Sequence, residues 1–217
     1  MVELTLIRHG QAQTGAKDEA SYDSLSDLGH QQARWLGEAL QGVQPFDQVI
    51  SGAMTRQIET ADSMALAGVP HSIDARLNEL DYFGLAESLR LSHEIDIPRD
   101  MQAFALHVPQ VLDAWRDGNV DEGLETYDAF CRRIRGALHN AAGQDGRIAL
   151  VSSTGVIATL AAIALGLDMV KKTKLFLRVM NTSVHKFELT NDDLHLTQFG
   201  AIPHLEHPDR AHARTYG

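Results

Sequence analysis

Short apolar runs that alternate with stretches of helical spacing constrain this chain more than any other feature of its sequence. Leu4–Ile7, "FDQVIS" (Phe46–Ser51) and "RIALVSS" (Arg147–Ser153) are brief, apolar and bounded by turn residues, as strands buried in a sheet are. "HSIDARL" offers a further short strand. Between them, Ser26 is placed to cap a helix whose apolar face is Leu28, Ala33, Trp35, Leu36, Ala39 and Leu40. A second helix is expected from about Met54 to Leu66, and "GLETYDAFCRRIRGALHNAA" reads as an amphipathic third. "TGVIATLAAIALGL" is apolar on every side, hence a buried helix. "TSVHKFEL" and "LHLTQFG" alternate around Asn191, Asp192 and Asp193, a hairpin signal.

Strands alternating with helices predict an α/β fold, a mainly parallel central sheet with helices on both faces. The whole chain is expected to form one domain, with an insertion or cap at about 83–122, where charge, Pro98 and Pro109 weaken the helical pattern. The stretch from Gln11 to Leu25 reads as a loop, and the tail from Pro203 as polar and irregular.

Composition narrows the function. A net charge of −10 argues against a broad basic face for nucleic acid, yet leaves room for a small anion held by a few arginines. The longest apolar stretch, Val156 to Leu167, is shorter than the roughly 20 residues a bilayer span requires. The start shows no basic-then-apolar leader pattern and there is one cysteine, so a cytoplasmic chain is expected. Cys131, mid-helix, reads as a buried core thiol. His204, His207 and His212 match no metal-ligand spacing and read as a solvated tail; no metal and no cofactor are expected.

Ligands of open α/β sheets bind beyond the carboxyl ends of the strands. Arg8-His9 and Ser152-Ser153-Thr154 both fall at such ends. A neutral imidazole there can attack phosphorus, a guanidinium can take two phosphate oxygens, and Gly10 lets the backbone approach closely. Arg56 stands near a helix start, where free N–H groups favour anions, unless Glu59 pairs with it. Glu79 and Asp81, in "RLNELDYFG", are alternative proton donors, provided burial or a neighbouring carboxylate raises the pKa. There is no G-x-x-x-x-G-K-[ST] loop, no G-x-G-x-x-G and no G-x-S-x-G.

"LIRHGQA", "SGAMTRQIETA", "LNELDYFG" and "VSSTGVI", in this order, resemble the histidine phosphatase superfamily, also called phosphoglycerate-mutase-like, over nearly the whole chain. The resemblance implies a phosphoglycerate-mutase-like three-layer αβα sandwich. It also implies that His9 is the nucleophile of a phosphohistidine mechanism, that Arg8 and Arg56 bind the phosphoryl group, and that Glu79 donates the proton and then activates water. Gln11, Ser153 and Thr154 would contribute to substrate binding. The family's usual "V-S-H-G-G" is here "VSSTG", with Ser153 at the histidine position. A neutral hydroxyl in place of a cationic donor could slow chemistry on the order of 10- to 1,000-fold. The expectation is therefore metal-independent hydrolysis of a small phosphorylated molecule, slowed by the serine. The alternative is a catalytically weak or inactive protein that binds a phosphorylated ligand or other anion. Neither nucleic acid nor membrane is expected as a partner, and oligomeric state is left open. Specificity is expected to lie in the 83–122 segment and in the tail.

Overall fold

The computed structural model describes residues 2–13, 19–41, 45–98, 100–191 and 193–216. A six-stranded sheet runs in the order β3 (His71–Ile73), β2 (Gln48–Ser51), β4 (Ile148–Ser152), β1 (Val2–Arg8), β5 (Val184–Thr190), β6 (Asp193–Ala201). β3, β2, β4 and β1 are mutually parallel, and the hairpin β5–β6 is added antiparallel to β1.

Alternation along the pleat builds two cores. Leu4 and Leu6 of β1, Ile50 of β2, and Ile148 and Leu150 of β4 face one side. Ile7, Val49, Ala149 and Val151 face the other. That second face is covered by Ala33 and Leu36 of α2 (Asp27–Gln41) and by Ala61 of α3 (Thr55–Ser63) with Met64 beyond its end. The first face is covered by α4 (Tyr82–His93), α5 (Met101–Arg116), α6 (Tyr127–Ala142), α7 (Thr154–Leu165) and α8 (Met169–Phe176). The result is a three-layer αβα sandwich. Because β1 leads to a helix on one face and the adjacent β4 to a helix on the other, the chain opens a crevice between their carboxyl ends. This is where open α/β sheets bind ligands.

The 83–122 segment holds α4 and α5, which lie over one face of the sheet with Leu85, Leu89, Val108, Leu112 and Trp115 in the same core. Several other expectations need correcting. Pro109 lies inside α5 without ending it; burial of its neighbours offsets the one backbone bond that proline cannot make. α3 stops at Ser63 rather than Leu66, with Ala65 in the left-handed region at φ 47°. Within the expected loop, Glu19–Tyr22 forms a short helix, α1; residues 14–18, and Asp192 of the hairpin turn, lie outside the described residues.

The tail is not solvated throughout. It forms two 3₁₀ turns, Pro203–Leu205 and Pro208–Ala213, that bury His204, Leu205 and Ala213. His204 Nε2 bonds the Thr182 hydroxyl at 2.8 Å, whereas His207 and His212 are exposed. Cys131 is half-buried rather than buried, beside Tyr127. No helix among the described residues is long and apolar enough to cross a membrane.

Candidate active site

β1 ends at Arg8 in register with Ser152, the last residue of β4. His9 N–H donates to the Ser152 carbonyl at 2.9 Å, so the imidazole starts from a backbone locked to both strands. Gly10 follows because the chain here passes tightly between helices. Its N–H donates to Thr60 Oγ1 at 2.9 Å, and a Cβ on it would press against the Gly29 carbonyl.

The His9 side chain is buried, with Nδ1 2.7 Å from the Gly10 carbonyl oxygen. A carbonyl only accepts, so Nδ1 carries the proton and Nε2 keeps its lone pair. Burial first, then the charges of Arg56 and Arg8, hold its pKa well below the ordinary 6.5. The imidazole is therefore neutral near pH 7.

Arg8 and Arg56 are almost fully buried beside it. Arg8 Nη1 donates to the Val179 carbonyl, and its side chain also bonds Tyr22. Arg56 sits at the start of α3 and is held by Asp23, not by Glu59. Asp23 Oδ1 accepts from Arg56 Nη1 at 3.0 Å and from its backbone N–H at 3.2 Å, while Oδ2 accepts from the Thr55 N–H at 3.0 Å. Glu59 Oε2 accepts the Leu25 N–H at 2.7 Å. Tyr22 lies under the Arg56 guanidinium, 4.9 Å from ring centroid to Cζ.

The structure separates Glu79 from Asp81. Asp81 caps α4, its Oδ1 accepting from the Gly84 N–H at 2.8 Å. The Glu79 carboxylate faces the crevice and accepts the Gly155 N–H at 3.0 and 2.9 Å to its two oxygens, and the Leu80 N–H at 3.0 Å. Burial raises its pKa above 4.5, against the opposing pull of these N–H groups and of Arg56 and Arg8. Thus the start of α7 holds the carboxylate of Glu79. Gly155 is obligatory for it, since a Cβ there would collide with Glu79 Oε1. Arg133 of α6 secures the loop from behind. It donates to the carbonyls of Arg76 at 2.7 Å and Asn78 at 2.8 Å while its Nε and Nη2 grip Glu125 at 2.7 and 2.9 Å.

A small pocket at the crevice brings together Arg8, His9, Arg56, Glu79 and Thr154. Two expected binding residues are not among those lining it. Gln11 turns toward α2, its Oε1 accepting from Ser26 Oγ at 2.9 Å. Ser153 is fully buried, and its hydroxyl accepts from Gln57 Nε2 at 2.8 Å. Thr154 Oγ1, in contrast, is buried, has no hydrogen-bond partner among the described residues, and borders the pocket.

Sequence reasoning missed the supports. Asp23 lies 33 residues before Arg56 in a polar stretch, where no local pattern marks it. A buried network also reaches His9 from the tail. Gln32 Nε2 donates to Thr215 Oγ1 at 2.8 Å, Thr215 Oγ1 to Asn181 Oδ1 at 2.9 Å, and Asn181 Nδ2 to the His9 carbonyl at 3.2 Å. Among the described residues, no group of three His, Cys, Asp or Glu side chains is placed to hold a metal ion.

Residues 4–201 match the family described as "Histidine phosphatase superfamily (branch 1)". The chain belongs to this superfamily. A glucosyl-3-phosphoglycerate phosphatase of Mycolicibacterium vanbaalenii is 32% identical over 182 residues, covering 76% of this chain and 75% of that protein. Solved structures of similar fold include proteins named as phosphatases. A mutant phosphoserine phosphatase from Entamoeba histolytica, in complex with phosphoserine, superposes with a TM-score of 0.67 at 20% identity over 94% of this chain and 100% of that one. A mycobacterial glucosyl-3-phosphoglycerate phosphatase complexed with VO3 gives 0.65 at 24% identity over 92% and 98%. Membership of the superfamily, with a phosphatase as relative, makes phosphatase chemistry the activity class of this chain.

Proposed function

We propose that the protein hydrolyses small phosphomonoesters through a phosphohistidine on His9, without a metal ion. The observation that carries this reading is the state of His9. It is a buried, neutral imidazole with its Nδ1 proton committed to Gly10 O, between two buried arginines. Arg8 and Arg56 draw in the phosphoryl oxygens and take up charge that builds in the transition state. His9 Nε2 attacks phosphorus as the ester P–O bond breaks, and protonated Glu79 gives its proton to the leaving oxygen. Water then attacks the phosphohistidine, the Glu79 carboxylate takes its proton, and the P–N bond breaks to release inorganic phosphate. Substrate phosphate must share Arg56 with Asp23, which keeps that guanidinium aimed when the pocket is empty.

The donor lost with the family's second histidine is supplied by Thr154 rather than Ser153. Thr154 Oγ1 is buried at the pocket and uncommitted among the described residues, whereas the Ser153 hydroxyl is engaged by Gln57. The test is hydrolysis of p-nitrophenyl phosphate in the presence of a chelator. Turnover that vanishes in His9→Ala supports the reading. Turnover at the His9→Ala background from pH 4 to 8 refutes it and leaves the anion-binding alternative, which phosphate titration of the wild type then measures.

A further inference from the structure

The pocket has two unlike halves. Beyond the charged group around His9, which Tyr22 joins by bonding Arg8 and lying under Arg56, its wall is made by Leu80, Tyr82, Phe83, Phe104 and Phe176. These residues arrive from the loop before α4, and from α4, α5 and the end of α8, so the aromatic character is not the accident of one amphipathic element. The rings also brace one another. Tyr82 packs on Phe104 with centroids 5.2 Å apart at 58°, and on Phe83 at 6.2 Å and 77°. The Tyr82 hydroxyl is committed to His107 Nδ1 at 2.7 Å, so Tyr82 offers a leaving group ring surface rather than a free hydroxyl. Both cations among the described lining residues, Arg8 and Arg56, lie in the phosphoryl half.

We infer that the substrate is a phosphomonoester whose leaving group carries an uncharged planar aromatic ring, seated against Tyr82, Phe83 and Phe104. This inference rests on the phosphatase reading and adds the substrate class to it. Aromatic rings in offset or edge contact gain beyond the area they bury. A leaving group bearing hydroxyls or a carboxylate would surrender hydrogen bonds to water that this wall does not replace.

The experiment compares kcat/KM for 2-phenylethyl phosphate and glycerol 3-phosphate, alkyl esters whose leaving groups are similar in basicity, so that ring contact and not leaving-group reactivity is read. The expected preference for the phenylethyl ester is about 100-fold, two aromatic contacts' worth of differential binding. Phe104→Ala and, separately, Phe83→Ala should each cut that ratio by roughly 10-fold; as a ratio within one protein preparation, it is insensitive to partial misfolding. A ratio near one in the wild type, a preference for glycerol 3-phosphate, or a ratio that neither substitution changes overturns the inference while leaving the phosphatase reading intact. No turnover of either ester above His9→Ala overturns both.

Discussion

In the proposed mechanism Glu79 has two tasks that require opposite protonation states: it must hold a proton for the leaving group and then accept one from water. Its surroundings suit that exchange. Burial raises its pKa, while the N–H groups of Gly155 and Leu80 and the nearby arginines limit the rise. His9, held well below 6.5, stays neutral on the acid side. As pH climbs through the raised Glu79 value the proton is lost, so kcat should fall toward alkaline pH. Glu79→Gln is expected to remove that alkaline limb and slow hydrolysis of alkyl phosphates by roughly 10²- to 10⁴-fold. The loss should be smaller for p-nitrophenyl phosphate, whose leaving group needs little help. An alkaline limb that persists in the variant would assign the titration to another group. Thr154 and Ser153 make a second contrast. Thr154→Val should cost roughly 10- to 100-fold in kcat through loss of a transition-state donor. Sequence reasoning would have Ser153→His restore turnover, but Ser153 and Gln57 are packed against each other with no exposed surface. The larger ring is expected instead to cost about 1–3 kcal/mol by overpacking and to leave turnover no higher. A rise in kcat for Ser153→His would contradict this arrangement.

At the scale of elements, the strands and helices nearest the chemistry were legible because their patterns are local. β1, β2 and β4 are short apolar runs, and α2 and α6 carry amphipathic faces. Ser26 caps α2 as its position predicts, its Oγ accepting the Gly29 N–H at 3.1 Å. What escaped was built from long-range compensation. α8 buries Lys172 and Thr173, which no apolar period reveals. The Lys172 ammonium is accommodated over the Tyr127 ring, 4.4 Å from its centroid, and burial lowers its pKa to about 8. The tail reads as polar because its work is polar: Thr215 and Asn181 carry hydrogen bonds to the His9 carbonyl. Asn181→Ala should therefore lower kcat by about 10- to 100-fold, since small displacements of a nucleophile are costly. KM should change little, because the phosphoryl contacts come from Arg8 and Arg56. An unchanged kcat would mean that the network serves stability alone.

Across the whole molecule, four separated sequence blocks meet because the sheet brings them together. Arg8 and Ser152 are register partners, α3 begins just past β2, and Ser152 Oγ ties to the Leu77 carbonyl at 2.7 Å, anchoring the loop that carries Glu79. Order along the chain was readable; the aromatic wall, and the placing of Thr154 rather than Ser153 at the pocket, were not, because both depend on packing between distant segments. The same packing couples fold to pH. His185 and His204 are buried, and burial lowers their pKa values to about 3 and about 4 from 6.5. The unfolded chain binds those protons first. The stability they support is present above pH 6.5 and is lost as pH falls toward the folded values, by up to about 1.4 kcal/mol per unit for each histidine. The urea midpoint should drop steeply as pH falls from 6 to 4.5; a flat profile over that range would place both histidines in contact with solvent. The most direct test of the account is to quench the enzyme with substrate in alkali and locate the covalent phosphate by mass spectrometry. The prediction is an acid-labile phosphate on His9, absent from His9→Ala. Turnover with no such adduct, or with phosphate on another residue, would contradict it.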